Sequence, residues 1–224
     1  MNMIHMVFAD ASLELVPSNL LSHPAVKKYA QRYNKGTCIL LDDSYHHAAM
    51  RNLAHWEKRG RPDIVHFCLL ETLGSPLCKE EKMKVHVHTW EGHHLEIAPE
   101  TRLPRNYMRF KGLFEQVLDQ KGTKGGLISV EEKVPIKALI QNLQCKEVIG
   151  FSRKGETKKL GEVFSDRDME ENIAVLVGAF PRGAFSESVT EAITHMIAIY
   201  PEPLEAWIVT SRVLTQLEML FGVF

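Results

Sequence analysis

An apolar run near the end of the chain, Ile173 to Val177, stops at Gly178 and is followed at once by the segment Phe-Pro-Arg-Gly at 180–183. A second apolar run around residues 197–199 breaks into Tyr-Pro-Glu-Pro-Leu at 200–204. This pattern predicts two buried strands whose loops lie side by side at one edge of a sheet. Loops at the carboxyl ends of strands in open α/β sheets bind small molecules, because glycine lets backbone groups approach the ligand. We therefore expect a ligand site there, although a glycine after a strand more often marks a simple turn.

The rest of the chain alternates β-type runs with helical patterns, which favours an α/β fold with a mostly parallel sheet. The predicted strands lie at 4–8, 38–41, 148–149 and 173–177, with an antiparallel hairpin at 85–97. The predicted helices lie at 25–33, 64–73, 107–118, 191–197 and 204–220, with a short helix near 139 and one that is capped at 42–44 and runs to 56. We expect one domain over residues 1–224, in which about 76–104 form a β-rich insertion or edge element.

Charge and cysteine content narrow the classes of partner and compartment. The 27 Lys and Arg residues nearly balance 28 Asp and Glu residues, so no global field attracts nucleic acid or a membrane surface. Any polyanion must then be bound by a local patch. The four cysteines are widely spaced without a C-x-x-C pair, which fits a reducing cytoplasm better than a disulfide framework. No apolar run approaches the roughly 18 residues that a bilayer span requires, so we expect a soluble protein without a membrane partner.

The basic cluster Arg102, Arg105, Arg109 and Lys111 falls within ten residues that contain no acid. Spacings of three and four residues predict that the arginines share one side of an entering helix. A row of arginines of this kind can bind successive phosphates of a nucleic acid, because guanidinium groups make bidentate hydrogen bonds to phosphate oxygens. A solvated helix face, with the interleaved aromatic side chains in the core, explains the charge pattern equally well.

Arg61 and Asp63 flank Pro62, whose ring stiffens the link between them. Proline just inside a helix with an acid in its first turn also predicts that a helix starts here. Asp63 can therefore support an arginine that is aimed at a ligand. Alternatively, it interacts only with the helix dipole, and the residues alone leave both interpretations open.

Several other chemistries lack support. His86, His88, His93 and His94 flank one turn, but no cysteine lies nearby and the spacing is not that of a closed zinc site, so we expect no metal. No G-x-S-x-G or G-x-G-x-x-G motif occurs. The spacing of Gly150 and Gly155 resembles a P-loop, yet Glu156 stands where that motif requires lysine.

Taken together, the motifs resemble the SPOUT-class (trefoil-knot) pseudouridine N1-methyltransferases of small ribosomal subunit biogenesis. The pair of patterns RPDI and R-x-P-R-x-x-x-R-F is specific, whereas VGAFPRG alone is much less so. The resemblance covers most of the chain, and its matching segments are FADASLELV, LDDSYHH, RPDIVHFCLLETLGSP, KVHVHTWEGHHLEIAPETRLPRNYMRFKGL, VGAFPRG and EPLEAWIVTSRVL.

This resemblance implies an α/β fold with a C-terminal trefoil knot, a homodimer, and methylation of N1 of a pseudouridine in small-subunit rRNA by S-adenosylmethionine. The implied cofactor-binding residues are Gly178, Gly183, Ile199, Tyr200, Pro201, Glu202, Pro203 and Leu204. The implied RNA-binding residues are Arg61, Asp63, Arg102, Arg105 and Arg109. The two prolines at 201 and 203 depart from the family pattern, so the resemblance assigns residues 199–204 to the cofactor less specifically than it assigns the two glycines.

The implied reaction is an in-line methyl transfer in which positioning matters more than a strong base. We assign no catalytic base, since Asp63 is a candidate but is better explained as an arginine support. Two functions stay open: the methyltransferase, with ribosomal assembly proteins as further partners, and a non-catalytic RNA-binding assembly factor that uses the same fold as a scaffold.

Overall fold

One seven-stranded sheet organises the protein, which is described by a computed structural model over residues 3–165 and 171–223. The strand order is β4-β3-β2-β1-β6-β5-β7. The strands are β1 Ile4–Ala11, β2 Met83–Thr89, β3 His94–Ile97, β4 Ile128–Glu131, β5 Glu147–Thr157, β6 Ile173–Gly178 and β7 His195–Ala198. β1 is parallel to β2 and β6, β5 is parallel to β6 and β7, and β3 is antiparallel to both of its neighbours.

Helices cover both faces of this sheet. They are α1 Pro24–Tyr33, α2 Asp43–Met50, α3 Pro62–Gly74, α4 Pro76–Lys79, α5 Tyr107–Gln120, α6 Ile136–Asn142, α7 Leu160–Ser165, α8 Glu187–Ala192 and α9 Ala206–Phe221. Proline at the first position starts α1 and α3, and the Asp42 side chain accepts a hydrogen bond from the Ser44 amide to cap α2. No helix among the described residues is long and apolar enough to cross a bilayer.

The central strands β1 and β6 are mostly apolar because both of their faces are buried. All eight residues of β1 are buried. Met6 and Phe8 pack into the core that includes α3, α5 and α9, while Val7 and Ala9 pack with α6 and α8 on the opposite face. Hydrophobic helices on both sides therefore fix the position of the sheet.

Parallel pairing brings the carboxyl ends of the central strands to one edge. Phe151 of β5 is in register with Val177 of β6 and with Ile197 of β7. The loops that follow β6 and β7 consequently start beside each other. The prediction of two adjacent loops at one edge of the sheet is confirmed.

Three predicted elements were wrong, two because of pairing between distant segments and one because of local backbone conformation. Residues 38–41 form only an isolated bridge, Leu40 to Leu15, because β2 and β6 occupy both sides of β1. The helix expected to reach Trp56 ends at Met50, since the backbone of His55 takes a φ of 55°. The helix expected at 191–197 is instead the end of α8 followed by β7, which adds to the free side of β5.

The predicted hairpin forms, but it does not lie at an edge. β2 pairs with β1 on one side and with β3 on the other, and β3 also pairs with β4. The hairpin is thus part of the main sheet, because two of its neighbours complete its hydrogen bonding. The division into a single domain with an insertion at about 76–104 stays a prediction.

Candidate functional site

A cavity of about 400 Å³ lies at the carboxyl ends of β6 and β7. Its walls come from the loop after β6, the loop after β7, the start of α9 and the first turn of α3. This volume falls in the usual range for sites that bind a small molecule. Seven of the eight residues predicted to bind a cofactor line this cavity: Gly178, Gly183, Ile199, Tyr200, Glu202, Pro203 and Leu204. Pro201 is exposed and does not line it.

Gly178 ends β6 at a point where no larger residue fits without rearrangement. A Cβ there would lie 2.6 Å from Cε1 of Phe180 and 3.2 Å from Cε1 of Phe185. Both aromatic rings line the cavity. Glycine therefore lets the two rings close against the strand end and leaves the backbone open toward the cavity.

Gly183 occupies a left-handed backbone conformation, with a φ of 95°, in the same loop. Lys58 braces this loop from outside the cavity by donating a hydrogen bond to the carbonyl oxygen of Ala184. The Lys58 Nζ atom lies 4.6 Å from the centre of the Phe180 ring and 3.9 Å from the Asp10 carboxylate. Burial lowers the pKa of Lys58, although the nearby acid favours its charged form.

Asp10 holds the far end of this loop. Its carboxylate accepts hydrogen bonds from the Ser186 amide at 2.6 Å and from the Ser186 hydroxyl at 2.9 Å. Asp10 is itself buried, with a φ of 49° that is unusual for a residue other than glycine. The loop that forms one cavity wall is therefore held by two side chains from other segments, since Lys58 contacts Phe180 and Ala184 and Asp10 binds Ser186.

Sequence reasoning missed several residues that complete the cavity. The apolar ones are Ile64, Phe151, Phe180, Phe185, Ile197 and Val209, and the basic ones are Arg153 and Arg182. Phe180 and Arg182 stand inside the VGAFPRG segment, so that motif did carry a signal for them. Ile64 and Phe151 are distant in sequence and reach the cavity only through packing.

Arg61 and Asp63 form a bidentate ion pair at the start of α3. The Arg61 Nε atom donates to Asp63 Oδ1 at 2.8 Å, and a terminal guanidinium nitrogen donates to Oδ2 at 2.7 Å. This hydrogen bonding raises the pKa of Arg61. The hydroxyl of Ser12 also accepts a hydrogen bond from the Arg61 amide at 2.7 Å. Of the two interpretations of Asp63, support of an arginine is thus the one that its direct contacts favour.

The Arg61 pair lies close to the cavity. Ile64, in the same first turn of α3, lines the cavity wall. Glu205 lines the cavity as well and interacts electrostatically with Arg61. An arginine held by a carboxylate therefore stands next to the cavity mouth.

Arg102, Arg105 and Arg109 are exposed, but they do not all lie on one helix. α5 begins at Tyr107, so only Arg109 is helical and the other two precede the capping residue Asn106. None of the three guanidinium groups makes an ion pair with any residue in 3–165 or 171–223. They are free to meet an anion from solution.

Lys111 does not belong to this exposed group. It is buried, and its Nζ atom donates to Asp42 Oδ2 at 2.8 Å while three tyrosine rings surround it. Burial opposes its charge, but the hydrogen bonds and electrostatic interactions with Asp42 and Tyr29 together outweigh burial and raise the pKa of Lys111. Tyr107 donates to the same Asp42 oxygen at 2.9 Å. This cluster ties the start of α5 to the start of α2 and so positions the neighbouring arginines.

Three of the histidine side chains, His5, His86 and His94, form a hydrogen-bonded row. His86 Nε2 lies 3.0 Å from His5 Nδ1, and His86 Nδ1 lies 3.0 Å from His94 Nε2. Burial lowers the pKa of His5 to about 4 and that of His86 to about 2, so these rings are neutral at pH 7. No cluster suited to a metal ion occurs among the residues that the structure describes.

No activated thiol stands at the cavity. Burial raises the pKa of Cys68 and Cys145 to about 12, and that of Cys38 and Cys78 to about 11. All four are free cysteines. Since the thiolate is the nucleophile, these side chains are inert at pH 7.

Comparisons with known proteins show which proteins this chain is similar to. The model of a family described as EMG1/NEP1 methyltransferase matches residues 6–218. The chain is 40% identical over 225 residues to "Ribosomal RNA small subunit methyltransferase Nep1" of Thermococcus kodakarensis, covering 98% of this chain and 100% of that protein. It is 40% identical over 220 residues to the protein of the same name from Pyrococcus furiosus, covering 96% of each.

A solved structure shares the fold. The crystal structure of Archaeoglobus fulgidus Nep1 bound to S-adenosylhomocysteine superposes with a TM-score of 0.87 at 39% identity and covers 99% of this chain and 100% of its own. This likeness and the seven-stranded, mostly parallel sheet confirm the prediction of a SPOUT-type α/β fold.

Proposed function

The chain belongs to the EMG1/NEP1 methyltransferase family, and on that premise we propose that it transfers the methyl group of S-adenosylmethionine to N1 of a pseudouridine in small-subunit rRNA. The observation that carries this proposal is the position of the cavity. It opens beside an arginine held by a carboxylate, at the edge of the sheet where the β6 and β7 loops meet. A donor and an anionic acceptor can therefore meet at one place.

The cavity suits a donor that is recognised through main-chain groups. Gly178 and Gly183 leave backbone exposed in one loop, and 199–204 forms the facing loop. Phe180, Ile197 and Leu204 supply apolar wall for a purine ring. S-adenosylmethionine supplies, when bound, an electrophilic methyl group on a sulfonium. These residues would hold it. A solved structure that is 39% identical to this chain is bound to S-adenosylhomocysteine, the demethylated product.

The acceptor is bound by arginines in this proposal. Arg102, Arg105 and Arg109 are exposed without ion-pair partners among the described residues, so they can hold phosphates that flank the target. Arg61 lies nearer the cavity in a fixed orientation, since Asp63 engages two of its nitrogens. It can contact the base once that base leaves its stack. Pseudouridine is joined to ribose through carbon, so its N1 carries a proton that uridine lacks. As the N1–methyl bond forms and the sulfur–methyl bond breaks, that proton is released to solvent.

Positioning supplies most of the rate in this mechanism. Both carboxylate oxygens of Asp63 already accept hydrogen bonds from Arg61, which favours a supporting role over that of a general base. Holding the nitrogen, methyl carbon and sulfur in line lowers the barrier without strong acid or base chemistry. Asp63 is accordingly a positioning residue, and no residue is assigned as the base.

We propose a homodimer whose interface includes α3 and α9. Phe67 of α3 is 48% exposed although its ring lies 5.2 Å from that of Trp207, and Ile208 of α9 is 38% exposed. Exposed aromatic and aliphatic side chains on adjacent helices are typical of a surface that a second subunit covers.

The likeness to the Archaeoglobus fulgidus structure also supports the trefoil knot that the resemblance implies.

Ribosome biogenesis in the cytoplasm is the proposed setting. Four free cysteines favour a reducing compartment, and the names of the relatives favour an rRNA substrate. Ribosomal assembly proteins are proposed as further partners.

The decisive experiment compares two short RNA hairpins that differ only at the target position. Transfer of radiolabelled methyl from S-adenosylmethionine to the pseudouridine hairpin, with none to the uridine hairpin, is expected because only the former has a free N1. Tight binding of both hairpins without transfer to either would favour the non-catalytic assembly factor instead.

A further inference from the structure

Two arginines at the donor cavity play no part in the function proposed above. Arg153 extends from the later part of β5, and Arg182 stands in the loop after β6. Both line the cavity and both are exposed. They come from the wall built by β5 and the β6 loop, whereas Arg61 directly precedes α3, whose residue Ile64 lines a different wall. Guanidinium groups therefore stand on one wall of the cavity, at Arg153 and Arg182, and beside another wall, at Arg61.

The charges of these two arginines are not neutralised within the protein. Neither makes an ion pair with any residue in the two described ranges, although Glu202 and Glu205 line the same cavity. The acids that follow along the chain have other partners, since Glu156 pairs with Lys158 at 2.9 Å and Glu162 with Lys159 at 3.6 Å.

Neighbouring lysines strengthen the local positive potential. Lys154 follows Arg153 directly and is close enough to Lys58 to lower the pKa of Lys58 by charge repulsion, in addition to the larger effect of burial. Lys58 itself braces the loop that carries Arg182. A cluster of basic side chains on one wall of a cavity attracts an anion to that wall and steers its approach.

We propose that Arg153 and Arg182 bind a phosphate of the acceptor RNA adjacent to the nucleoside that enters the cavity. A nucleoside extruded from its stack keeps a phosphate on each side, and Arg61 stands beside only the wall that includes Ile64 of α3. The planar guanidinium group makes paired hydrogen bonds to phosphate oxygens. Two arginines on the other wall thus complete a clamp across the mouth.

The donor is a poorer match for these two charges than the RNA. S-adenosylmethionine carries a sulfonium, an ammonium and one carboxylate, so its net charge is positive, whereas each phosphate is negative. Two unneutralised guanidinium groups would repel the donor overall and attract the RNA. This assignment rests on the proposed RNA acceptor.

The test measures RNA binding and product binding separately. The variants are Arg153→Ala, Arg182→Ala and the double variant, with Lys124→Ala as control, because Lys124 is exposed in the loop before the edge strand β4. For the double variant we expect affinity for the pseudouridine hairpin to fall about tenfold. The slope of log affinity against log salt should decrease by about one. Affinity for S-adenosylhomocysteine should stay within twofold, about 0.4 kcal/mol, of the wild type.

Three results would overturn the assignment. The first is that the double variant binds RNA with the affinity of the wild type, and the second is that the Lys124→Ala control loses as much RNA affinity as the double variant. The third is that affinity for S-adenosylhomocysteine is lost while RNA binding stays intact, which would assign the arginines to the donor carboxylate. Binding is measured without catalysis, so a wild-type protein that binds the hairpin but never methylates it would refute the proposed activity and leave this test decisive.

Discussion

The donor cavity and the arginine surface beside it are built on different principles. The cavity consists of main-chain turns and apolar rings, closed around a glycine whose replacement would place a Cβ 2.6 Å from Phe180. The arginine surface consists of long exposed side chains at 102, 105 and 109, each contributing separately. A site made of backbone is therefore damaged severely by a larger residue at one position, whereas a site made of many charges weakens gradually. Arg61 and Asp63 join the two, because they are a fixed ion pair next to the cavity.

The largest effect is expected from Gly178→Val. Its branched side chain would displace the Phe180 and Phe185 rings toward the cavity, since the Cβ position is already too close to both. Affinity for S-adenosylhomocysteine, measured by calorimetry, should fall on the order of a hundredfold, about 2.7 kcal/mol. Affinity for the RNA hairpin should change little.

Retained RNA binding and a cooperative thermal transition show that this variant is folded. Gly178→Ala serves as the milder companion, with a smaller loss of product affinity. A folded Gly178→Val protein with wild-type product affinity would remove this glycine from the donor site and break the comparison.

A smaller effect is expected from Asp63→Asn, which tests the junction of the two regions. The amide cannot accept both Arg61 hydrogen bonds, so the guanidinium loses its fixed orientation. Single-turnover methyl transfer should slow by about tenfold, while product affinity stays unchanged. Asp119→Asn, an exposed carboxylate in α5, is the control and should transfer methyl at the wild-type rate. If Asp63 were instead the general base, the rate of the variant would recover steeply at high pH, and a parallel pH profile argues for the positioning role.

Arg105→Ala should produce a still smaller change, restricted to the RNA. One exposed phosphate contact among several is lost, so hairpin affinity should weaken about threefold to tenfold and the salt dependence should become shallower. Filter binding at several salt concentrations measures both quantities. Loss of product affinity with unchanged RNA affinity would contradict the division between the two regions.

The smallest expected effect is a loss of protein stability in acid, which should affect the donor cavity and the arginine surface equally. The folded-state pKa values of His5 and His86 lie at about 4 and about 2, below the value of about 6.5 in the unfolded chain. Their contribution to stability is complete above pH 6.5 and is lost as pH falls toward those folded values, because the unfolded state then binds more protons. The thermal midpoint should drop by about 2–4 °C for each kcal/mol lost between pH 7.5 and pH 5.

Two substitutions check this cause. His86→Gln should reduce the drop, because it removes the ring with the lowest pKa, while exposed His47→Gln should leave the drop unchanged. Equal drops in the wild type and in His86→Gln would show that other groups set the acid sensitivity.

The amino-acid sequence by itself determined the features that depend on neighbouring residues. Mostly apolar runs indicated strands buried on both faces, as in β1 and β6. Pro62 and Asp63 required a helix start, and glycine after β6 indicated a backbone-lined loop. The spacing of Arg102, Arg105 and Arg109 also indicated a basic surface, although it could not show that two of them precede the helix.

Only the tertiary structure decided features that depend on pairing between distant segments. Leu40 and its neighbours have strand-like character, yet β2 and β6 already satisfy both edges of β1. Lys111 looked like its arginine neighbours, but Asp42 lies 2.8 Å from its ammonium in the core. The approach of Ile64 and Phe151 to one cavity is likewise invisible in sequence. Local propensity determines the secondary structure that each segment favours, whereas burial and hydrogen bonding between remote segments determine which side chains come into contact.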